Sequence, residues 1–323
     1  MSARPPALRV FMLGATGTIG RATVAALLAR GHEVVCFVRP GTPPLPHHAA
    51  LRFGDVTDPA ALARDGFRGE HFDAIVSCLA SRTGAPLDAW AIDHQAHLDV
   101  LAAAQQLGVR QMVLLSAICV QNPKLGFQHA KLAFERALVD SGLIYSIVRP
   151  TAYFKSLSGQ VNRLKAGKPF LLFGDGALTA CKPISDCDLG NYLSDCLDQP
   201  GLQNRILPIG GPGPAITPRQ QGEALFRLLE MPPKFRQVPV RLLDGIIAVL
   251  DGLGQLSPRL KAKAELARIG RYYATESMLV LDATTGRYDA DATPSTGADT
   301  LFDHYARLVR GEAADDRGAH AVF

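Results

Sequence analysis

The sequence predicts an α/β fold built on a doubly wound parallel sheet, and three observations predict it. Short apolar runs alternate with helical patterns along the first 150 residues, as in sheets whose strands are joined by crossover helices. A glycine-rich turn, Gly14-Ala-Thr-Gly-Thr-Ile-Gly20, follows the first apolar run and precedes the first helical pattern. Beyond residue 150 the alternation breaks down, so we expect a smaller, irregular α+β region to follow the sheet.

The glycine-rich turn has a strand before it, Arg9 to Leu13, and a helix after it, Thr18 to Arg30, which Gly31 ends. In such a turn the first glycine permits a tight bend, the second admits a phosphate group, and the third lets helix and strand pack closely. The helix N-terminus then offers N–H groups and a positive dipole end. The alternative is a glycine-rich turn in an unrelated α/β protein. We expect a dinucleotide to be bound here by Gly14, Thr16, Gly17, Thr18, Ile19 and Gly20.

The residue after the second strand indicates which dinucleotide binds. Glu33 to Val38 is a β-branched, apolar run that predicts a central strand, and Arg39 follows it. An acidic residue here would bind the ribose 2′-hydroxyl of NAD, whereas a guanidinium fits a 2′-phosphate. We therefore expect NADPH. A solvated arginine is the alternative, and Arg21 is a weaker second candidate for the phosphate.

The spacing G-x-x-G-x-x-G resembles the short-chain dehydrogenase/reductase superfamily, in its extended and atypical branches. The resemblance implies a Rossmann sheet in which Asp55, after the third strand, accepts a hydrogen bond from the adenine amino group. Val56 would then pack on the adenine ring. The alternative role for Asp55 is a helix N-cap, but Asp58, which directly precedes Pro59, is better placed for that role. The fourth strand runs from Asp73 to Leu79, and at its carboxyl edge we expect cofactor contacts from Cys78, Leu79 and Ala80.

The superfamily's catalytic set is a serine at the end of the fifth strand and a Tyr-x-x-x-Lys pair on the next helix. Ser116 and Lys131 match two of these positions, but Phe127 stands at that of the tyrosine. A phenyl ring cannot donate a proton, so ordinary tyrosine-mediated carbonyl reduction is excluded. Lys131 is expected to hold the nicotinamide ribose, with an exposed helix lysine as the alternative, and His129 is expected to be solvated.

A helix is expected from about Pro86 to Leu107, and the sixth strand from Leu143 to Val148. The segment after that strand resembles the superfamily segment that packs on the nicotinamide, which implies cofactor contacts from Pro150 and Thr151. Tyr153 joins Ser116, Phe127 and Lys131 as a candidate catalytic residue. We expect an NADPH-binding domain over residues 1–150, a substrate-binding region packed on it over 151–310, and a flexible tail over 311–323.

Three helices are predicted beyond residue 150. Ser185 caps one that ends at Leu197, and Thr217 to Glu230 forms a second. The third, from Val240 to Leu253, is strongly apolar. It is interpreted as a core or lid helix in preference to one that contacts a large apolar substrate or a membrane surface, because it lacks a basic polar face.

Composition excludes several other classes of protein. The 323 residues carry a net charge of +4 without a basic run or a basic-aromatic stripe, which argues against nucleic-acid binding. The six cysteines form no C-x-x-C pair and are expected to be reduced, in a cytoplasmic protein without a metal centre. No signal peptide or membrane-spanning run is recognised, although transient contact with a membrane surface stays open.

Three further segments resemble one family, the NADPH-dependent divinyl (proto)chlorophyllide 8-vinyl reductases of chlorophyll and bacteriochlorophyll synthesis. They are Ser116 to Gln121 with Phe127 to Lys131, Gly174 to Gly176 with Lys182 to Ser185, and Glu276 to Leu281 with Tyr288 to Gly297. The resemblance implies reduction of the 8-vinyl group of a magnesium porphyrinoid to ethyl, in a photosynthetic bacterium. The missing tyrosine fits this reaction, because a carbon–carbon double bond has no carbonyl oxygen to protonate.

Two other interpretations stay open at the level of the sequence. One is an atypical NADPH-dependent reductase of a smaller conjugated substrate, such as a phenylpropanoid or a quinone. The other is a non-catalytic NADPH-binding sensor or structural subunit of the same fold, against which the presence of Lys131 argues.

Overall fold

The computed structural model describes residues 6–43, 45, 49–254 and 257–312. Its strands are β1 Arg9–Leu13, β2 Glu33–Val38, β3 Ala50–Phe53, β4 Ala74–Ser77, β5 Gln111–Leu115, β6 Ile144–Pro150, β7 Phe170–Phe173, β8 Arg205–Ile209, β9 Phe235–Val238, β10 Val280–Leu281 and β11 Tyr288–Asp289. Its α-helices are α1 Thr18–Ala29, α2 Pro59–Ala61, α3 Pro86–Ala89, α4 His97–Gln106, α5 Gly126–Val139, α6 Phe154–Leu157, α7 Val161–Lys165, α8 Asp186–Asp198, α9 Pro218–Leu228, α10 Val240–Gly254, α11 Pro258–Thr275 and α12 Leu301–Arg310.

Seven strands form one parallel sheet in the order β3-β2-β1-β4-β5-β6-β8. The order runs outward from β1 in both directions, so the chain reverses between β1 and β4 and opens a crevice at the carboxyl ends of these strands. Apolar cores cover both faces of the sheet. The predicted doubly wound α/β fold is confirmed.

The predicted domain boundary at residue 150 does not separate the sheet from the C-terminal elements. Strand β8 pairs in parallel with β6 and completes the sheet, and α8 packs on α1. The sheet therefore recruits elements from the region that we expected to bind substrate. Pairing with β8 satisfies the outward backbone groups of β6, and the edge of the sheet is then β8, which contains a proline, a residue that edge strands tolerate.

The remaining C-terminal elements form a second body of structure with its own core. Strands β7 and β9 pair in parallel, β10 and β11 pair antiparallel, and side chains of α5, α9, α11 and α12 share one apolar cluster. The predicted caps are present: the Ser185 side chain accepts from the Asp188 N–H, and Asp58 accepts from the Ala60 N–H.

The helix predicted from Pro86 to Leu107 is interrupted by a π-helical turn. Trp90–Ala96 has π geometry between α3 and α4, and this turn places the side chain of Asp93 in the interior. Such turns occur mostly as single insertions in α-helices, frequently at functional sites.

Helix α10 is predicted to be a core or lid helix, and the core role is wrong because none of its residues is buried. The lid role stays a prediction. Asp244 and Asp251 of this helix form exposed ion pairs with Arg271 and Arg268 of α11, and the apolar Leu243, Ile247 and Leu250 are half-buried. A second row of apolar side chains is exposed: Leu242, Ile246, Val249 and Leu253. Across the described residues, no helix combines the length and apolar character needed to cross a bilayer.

Helix α12 ends at Gly311, whose φ of 78° is the left-handed conformation that glycine favours at helix ends. The remainder of the predicted flexible tail, residues 313–323, lies outside the described residues.

Candidate functional site

In the glycine turn between β1 and α1, two of the three glycines have no room for a side chain, and the third has open space beside it. A Cβ on Gly14 would lie 2.4 Å from the Cys78 carbonyl carbon, and one on Gly20 would lie 2.0 Å from the Gly14 oxygen. At Gly17 the nearest atom would be 3.6 Å away, and this residue is exposed. Gly14 and Gly20 therefore hold the turn against β4, whereas Gly17 leaves space for a ligand at the start of α1.

A lysine far away in the sequence also reaches this turn. The Lys155 Nζ donates a hydrogen bond of 2.9 Å to the Thr18 hydroxyl at the first residue of α1. The positive end of the helix dipole and an ammonium group thus lie side by side, and both would attract a bound anion. Sequence reasoning missed Lys155, because nothing in the local pattern of α6 indicates that it approaches residue 18.

Arg39 and Asp55 lie at the carboxyl ends of neighbouring strands, and both are exposed. The Thr57 N–H and hydroxyl both donate to Asp55, and with the nearby Arg39 charge they hold the pKa of this carboxyl below its ordinary value. Val56 is half-buried against the core on this face of the sheet. Arg39 is thus available to a 2′-phosphate at the edge where the adenosine end of a dinucleotide belongs.

We expect Arg39→Ala to weaken NADPH binding by about tenfold to hundredfold and to leave NADH binding nearly unchanged. The reason is the loss of a charge-assisted hydrogen bond that only the phosphorylated ribose accepts. Arg21→Ala tests the second candidate for the phosphate: the Arg21 Nε donates to the Thr16 carbonyl at 3.0 Å and braces the turn, so we expect this variant to affect NADPH and NADH alike. Fluorescence titration with both cofactors checks the prediction, and equal losses for NADPH and NADH in Arg39→Ala would contradict it.

The end of β4 forms the wall of the crevice opposite the glycine turn. Cys78 and Leu79 are half-buried there, Ala80 is exposed, and burial raises the pKa of the Cys78 thiol to about 12. The Ser77 hydroxyl lies 2.8 Å from the His97 Nε2 beneath them. Burial lowers the pKa of His97 to about 4, so this imidazole is neutral near pH 7 and serves as a support.

Lys131 forms an ion pair with the buried Asp93 of the π-helical turn. The Lys131 Nζ lies 2.9 Å from the Asp93 Oδ1, which also accepts from the Ser81 N–H. The Asp93 Oδ2 is buried and has no hydrogen-bond partner within the described part of the chain. Lys131 is therefore not the solvated lysine of the alternative interpretation, and the spare carboxylate oxygen fits a hydroxyl donor such as a ribose.

Ser116 lies in a different network from Lys131. Its hydroxyl donates to Glu135, and the Glu135 carboxylate also pairs with Arg149 in the interior. This network ties α5 to β6, and it occupies the hydroxyl that the superfamily pattern assigns to catalysis. The structure thus does not pair Ser116 with Lys131.

Phe127 and Tyr153 contribute aromatic surface in this part of the molecule. The Phe127 ring belongs to the second core, beside the loop at Gly84. Tyr153 packs half-buried against the core under the sheet, and burial raises the pKa of its hydroxyl.

Pro150 ends β6, and the Thr151 N–H donates to the Ile209 carbonyl of β8. His129 is exposed, as expected.

Helix α11, which sequence reasoning did not identify, covers the site. The Tyr272 hydroxyl lies 2.9 Å from the Cys119 carbonyl oxygen and 3.0 Å from that of Asn122. The adjacent Tyr273 hydroxyl donates to the Cys119 sulphur at 3.7 Å. A Cβ on Gly84 would lie 2.9 Å from Ile269 of the same helix. Helix α11 therefore closes over the turn after β5 and the loop after β4.

The three family-like sequence segments meet in this covering structure. The Gln121 side chain bonds to the backbone of Leu279 and Leu281. Glu276 accepts from Tyr288 and forms an ion pair with Lys124. The Lys182 Nζ donates to the Thr293 carbonyl, which attaches the second segment to the third. These contacts hold the end of α11 against the turn after β5.

The described residues contain no group of three or more His, Cys, Asp or Glu side chains that could hold a metal ion.

Comparison with known proteins gives a consistent result. Residues 14–200 match a family model described as NAD(P)H-binding. The chain is 49% identical to a divinyl chlorophyllide a 8-vinyl-reductase, chloroplastic, of Zea mays, over 97% of this chain and 82% of the relative. It is 48% identical to the protein of the same name from Oryza sativa subsp. indica, over 100% and 84%. An Escherichia coli NADPH-dependent quinone oxidoreductase, QOR2, solved with NADPH, has a similar fold, with a TM-score of 0.67, 18% identity, and coverage of 93% of this chain and 99% of that one.

Identity near one half, over almost the full length, goes well beyond a shared fold. It extends through the second core and the covering helix, and not only through the sheet that binds the dinucleotide. The chain therefore belongs to the divinyl chlorophyllide a 8-vinyl-reductase family.

Proposed function

We propose that this chain reduces the 8-vinyl group of a divinyl chlorophyllide to an ethyl group, with NADPH as the reductant. The observation that carries the proposal is the nearly full-length identity to proteins named for that reaction. Two features of the site support it: Lys131 is paired with the buried Asp93 and is not a solvated lysine, and residue 127 has no proton to give to a carbonyl oxygen.

The residues present fit NADPH. The open space at Gly17, with Lys155 beside it, suits the pyrophosphate, and Arg39 suits the 2′-phosphate. Lys131 and the unpartnered oxygen of Asp93 would hold the nicotinamide ribose through its hydroxyl groups. When bound, NADPH supplies a hydride.

The chemistry requires little more from the protein than positioning and one proton. A vinyl group conjugated to a porphyrinoid accepts a hydride at its terminal carbon, because the macrocycle delocalises the charge that develops. Holding two flat partners in contact is worth up to about 7–11 kcal/mol of the barrier. The partly exposed ring of Tyr273 on the covering helix α11 suits a flat, apolar partner, with the buried Phe127 packed in the core beneath the site. The magnesium ion would arrive with the substrate.

Incubation of the purified protein with divinyl chlorophyllide, with and without NADPH, tests the proposal. We expect the absorbance bands of the macrocycle to shift only when NADPH is present, and chromatography to show the monovinyl product. Gly17→Val is the control that should give no product. If the wild-type chain leaves the pigment unchanged and instead oxidises NADPH with a simple quinone, the proposed function is wrong.

A further inference from the structure

We propose that Tyr273 of α11 donates the proton that completes reduction of the vinyl group, and so supplies the hydroxyl that Phe127 lacks. This inference rests on the proposed function. It is drawn from the position of Tyr273, which lies on α11 and contacts the turn Ile118–Gln121 directly after β5.

The Tyr273 hydroxyl is directed from α11 toward the turn after β5. Its hydrogen-bond acceptor is the sulphur of Cys119, and Cys119 is almost fully buried in the turn after β5. The Tyr273 residue is 38% exposed, and its hydroxyl is the buried end, directed toward the Cys119 sulphur, so the ring and not the hydroxyl is the part open to solvent. A thiol sulphur is a weak acceptor, and it therefore leaves the hydroxyl proton available for transfer.

The neighbouring tyrosine shows the contrast between a supporting and a reactive hydroxyl. Tyr272 is 4% exposed, and its hydroxyl is bound to two backbone carbonyl oxygens, those of Cys119 and Asn122. It fastens α11 to the turn. Tyr273, one residue later, has the same chemical group without such strong acceptors.

Other donors are less well placed. The Ser116 hydroxyl donates to Glu135, and the Lys131 ammonium is paired with Asp93. The Cys119 thiol is buried beneath Tyr273. Tyr153 is half-buried near both Cys78 and Cys119, and its charge acts on Tyr273, so it is the nearest rival donor and needs its own variant in the test.

The proposed proton transfer completes a balanced reduction of the double bond. The terminal vinyl carbon gains a hydride from NADPH, which is oxidised to NADP⁺, and the electron pair of the double bond moves into the macrocycle. The carbon attached to the ring then takes the Tyr273 hydroxyl proton, and the tyrosinate regains a proton from water. Burial raises the pKa of Tyr273 well above its ordinary value, so the hydroxyl is a weak acid that gives its proton only to a strong base, such as the carbanion that hydride addition leaves.

Single-turnover kinetics with saturating NADPH and divinyl chlorophyllide test the proposal through Tyr273→Phe and its matched control, Tyr272→Phe. We expect Tyr273→Phe to lower the rate by about 10²- to 10⁴-fold, the usual worth of a general acid. The dissociation constants of NADPH and pigment, measured by fluorescence and absorbance titration, should change less than twofold. Tyr272→Phe should lower the midpoint of thermal unfolding and change the rate by less than tenfold.

Two more variants separate Tyr273 from its neighbours, and added small acids provide a second readout. Tyr153→Phe and Cys119→Ala should each lose less than tenfold in rate. Imidazolium should accelerate Tyr273→Phe in proportion to its concentration and leave the wild type unaffected.

The outcomes distinguish this inference from the proposed function. A wild-type chain that does not convert the pigment contradicts the proposed function. If the wild type does convert it, three results overturn the role of Tyr273: a loss below tenfold in Tyr273→Phe, an equal or larger loss in Tyr272→Phe, Tyr153→Phe or Cys119→Ala, or no acceleration by imidazolium.

Discussion

Replacing Gly17 by valine is expected to abolish NADPH binding, weakening it by at least about a hundredfold, without unfolding the protein. The protein itself leaves open space at this position, since the nearest atom to a Cβ would be 3.6 Å away. The added side chain would therefore occupy the space that the pyrophosphate needs. Fluorescence titration measures the affinity, and thermal unfolding followed by circular dichroism measures the fold.

Gly20→Val is the matched control for this prediction, in the same turn. Its Cβ would lie 2.0 Å from the Gly14 carbonyl oxygen, which is backbone and cannot move aside. We expect this variant to lose stability as well as binding. If Gly17→Val is folded and binds NADPH as the wild type does, the turn is not the phosphate site.

Replacing Lys131 by alanine is expected to cost both stability and cofactor affinity. It leaves the carboxylate of Asp93 buried without its cation, and breaking a buried pair in this way costs about 3–5 kcal/mol of unfolding free energy. It also removes the ammonium group expected to bind the nicotinamide ribose. Urea unfolding and NADPH titration measure the two effects.

The double variant Lys131→Ala with Asp93→Asn separates the two roles of the lysine. Neutralising Asp93 removes the unpaired buried charge, so we expect much of the lost stability to return, while NADPH affinity and turnover stay lower than in Asp93→Asn alone, which accounts for the part that the Asp93 carboxylate has in binding the ribose. Such non-additivity is the normal result for side chains in direct contact. Recovery of NADPH affinity together with stability would mean that Lys131 acts only by supporting the fold.

The sheet could be predicted from the sequence because its signals are local. The apolar run Glu33 to Val38 is a strand at the predicted bounds, and the cap residue Ser185 begins the predicted helix. Periodicity alone does not reveal which face of a helix is packed. Helix α10 is apolar around much of its circumference, but Leu243 and Ile247 are half-buried whereas Leu242 is exposed.

The site could be predicted only where a motif carries it. Spacing identifies the glycine turn and Lys131, whereas Asp93, Lys155 and Tyr273 matter through contacts with residues distant in the sequence. Aspartate in a helix is usually solvated, and only the π-helical turn places Asp93 inside. The same limit applies to Ser116, since no local pattern indicates that Glu135 accepts a hydrogen bond from its hydroxyl.

Transfer of deuterium from NADPH to the pigment tests the central claim most directly. With NADPH carrying deuterium at both C4 positions, the wild-type chain should convert divinyl chlorophyllide to a monovinyl product with one deuterium in its new ethyl group. Mass spectrometry of the product reads this out whichever face of the nicotinamide is used. A monovinyl product without deuterium, or an unchanged pigment, would contradict hydride transfer from NADPH to the 8-vinyl group.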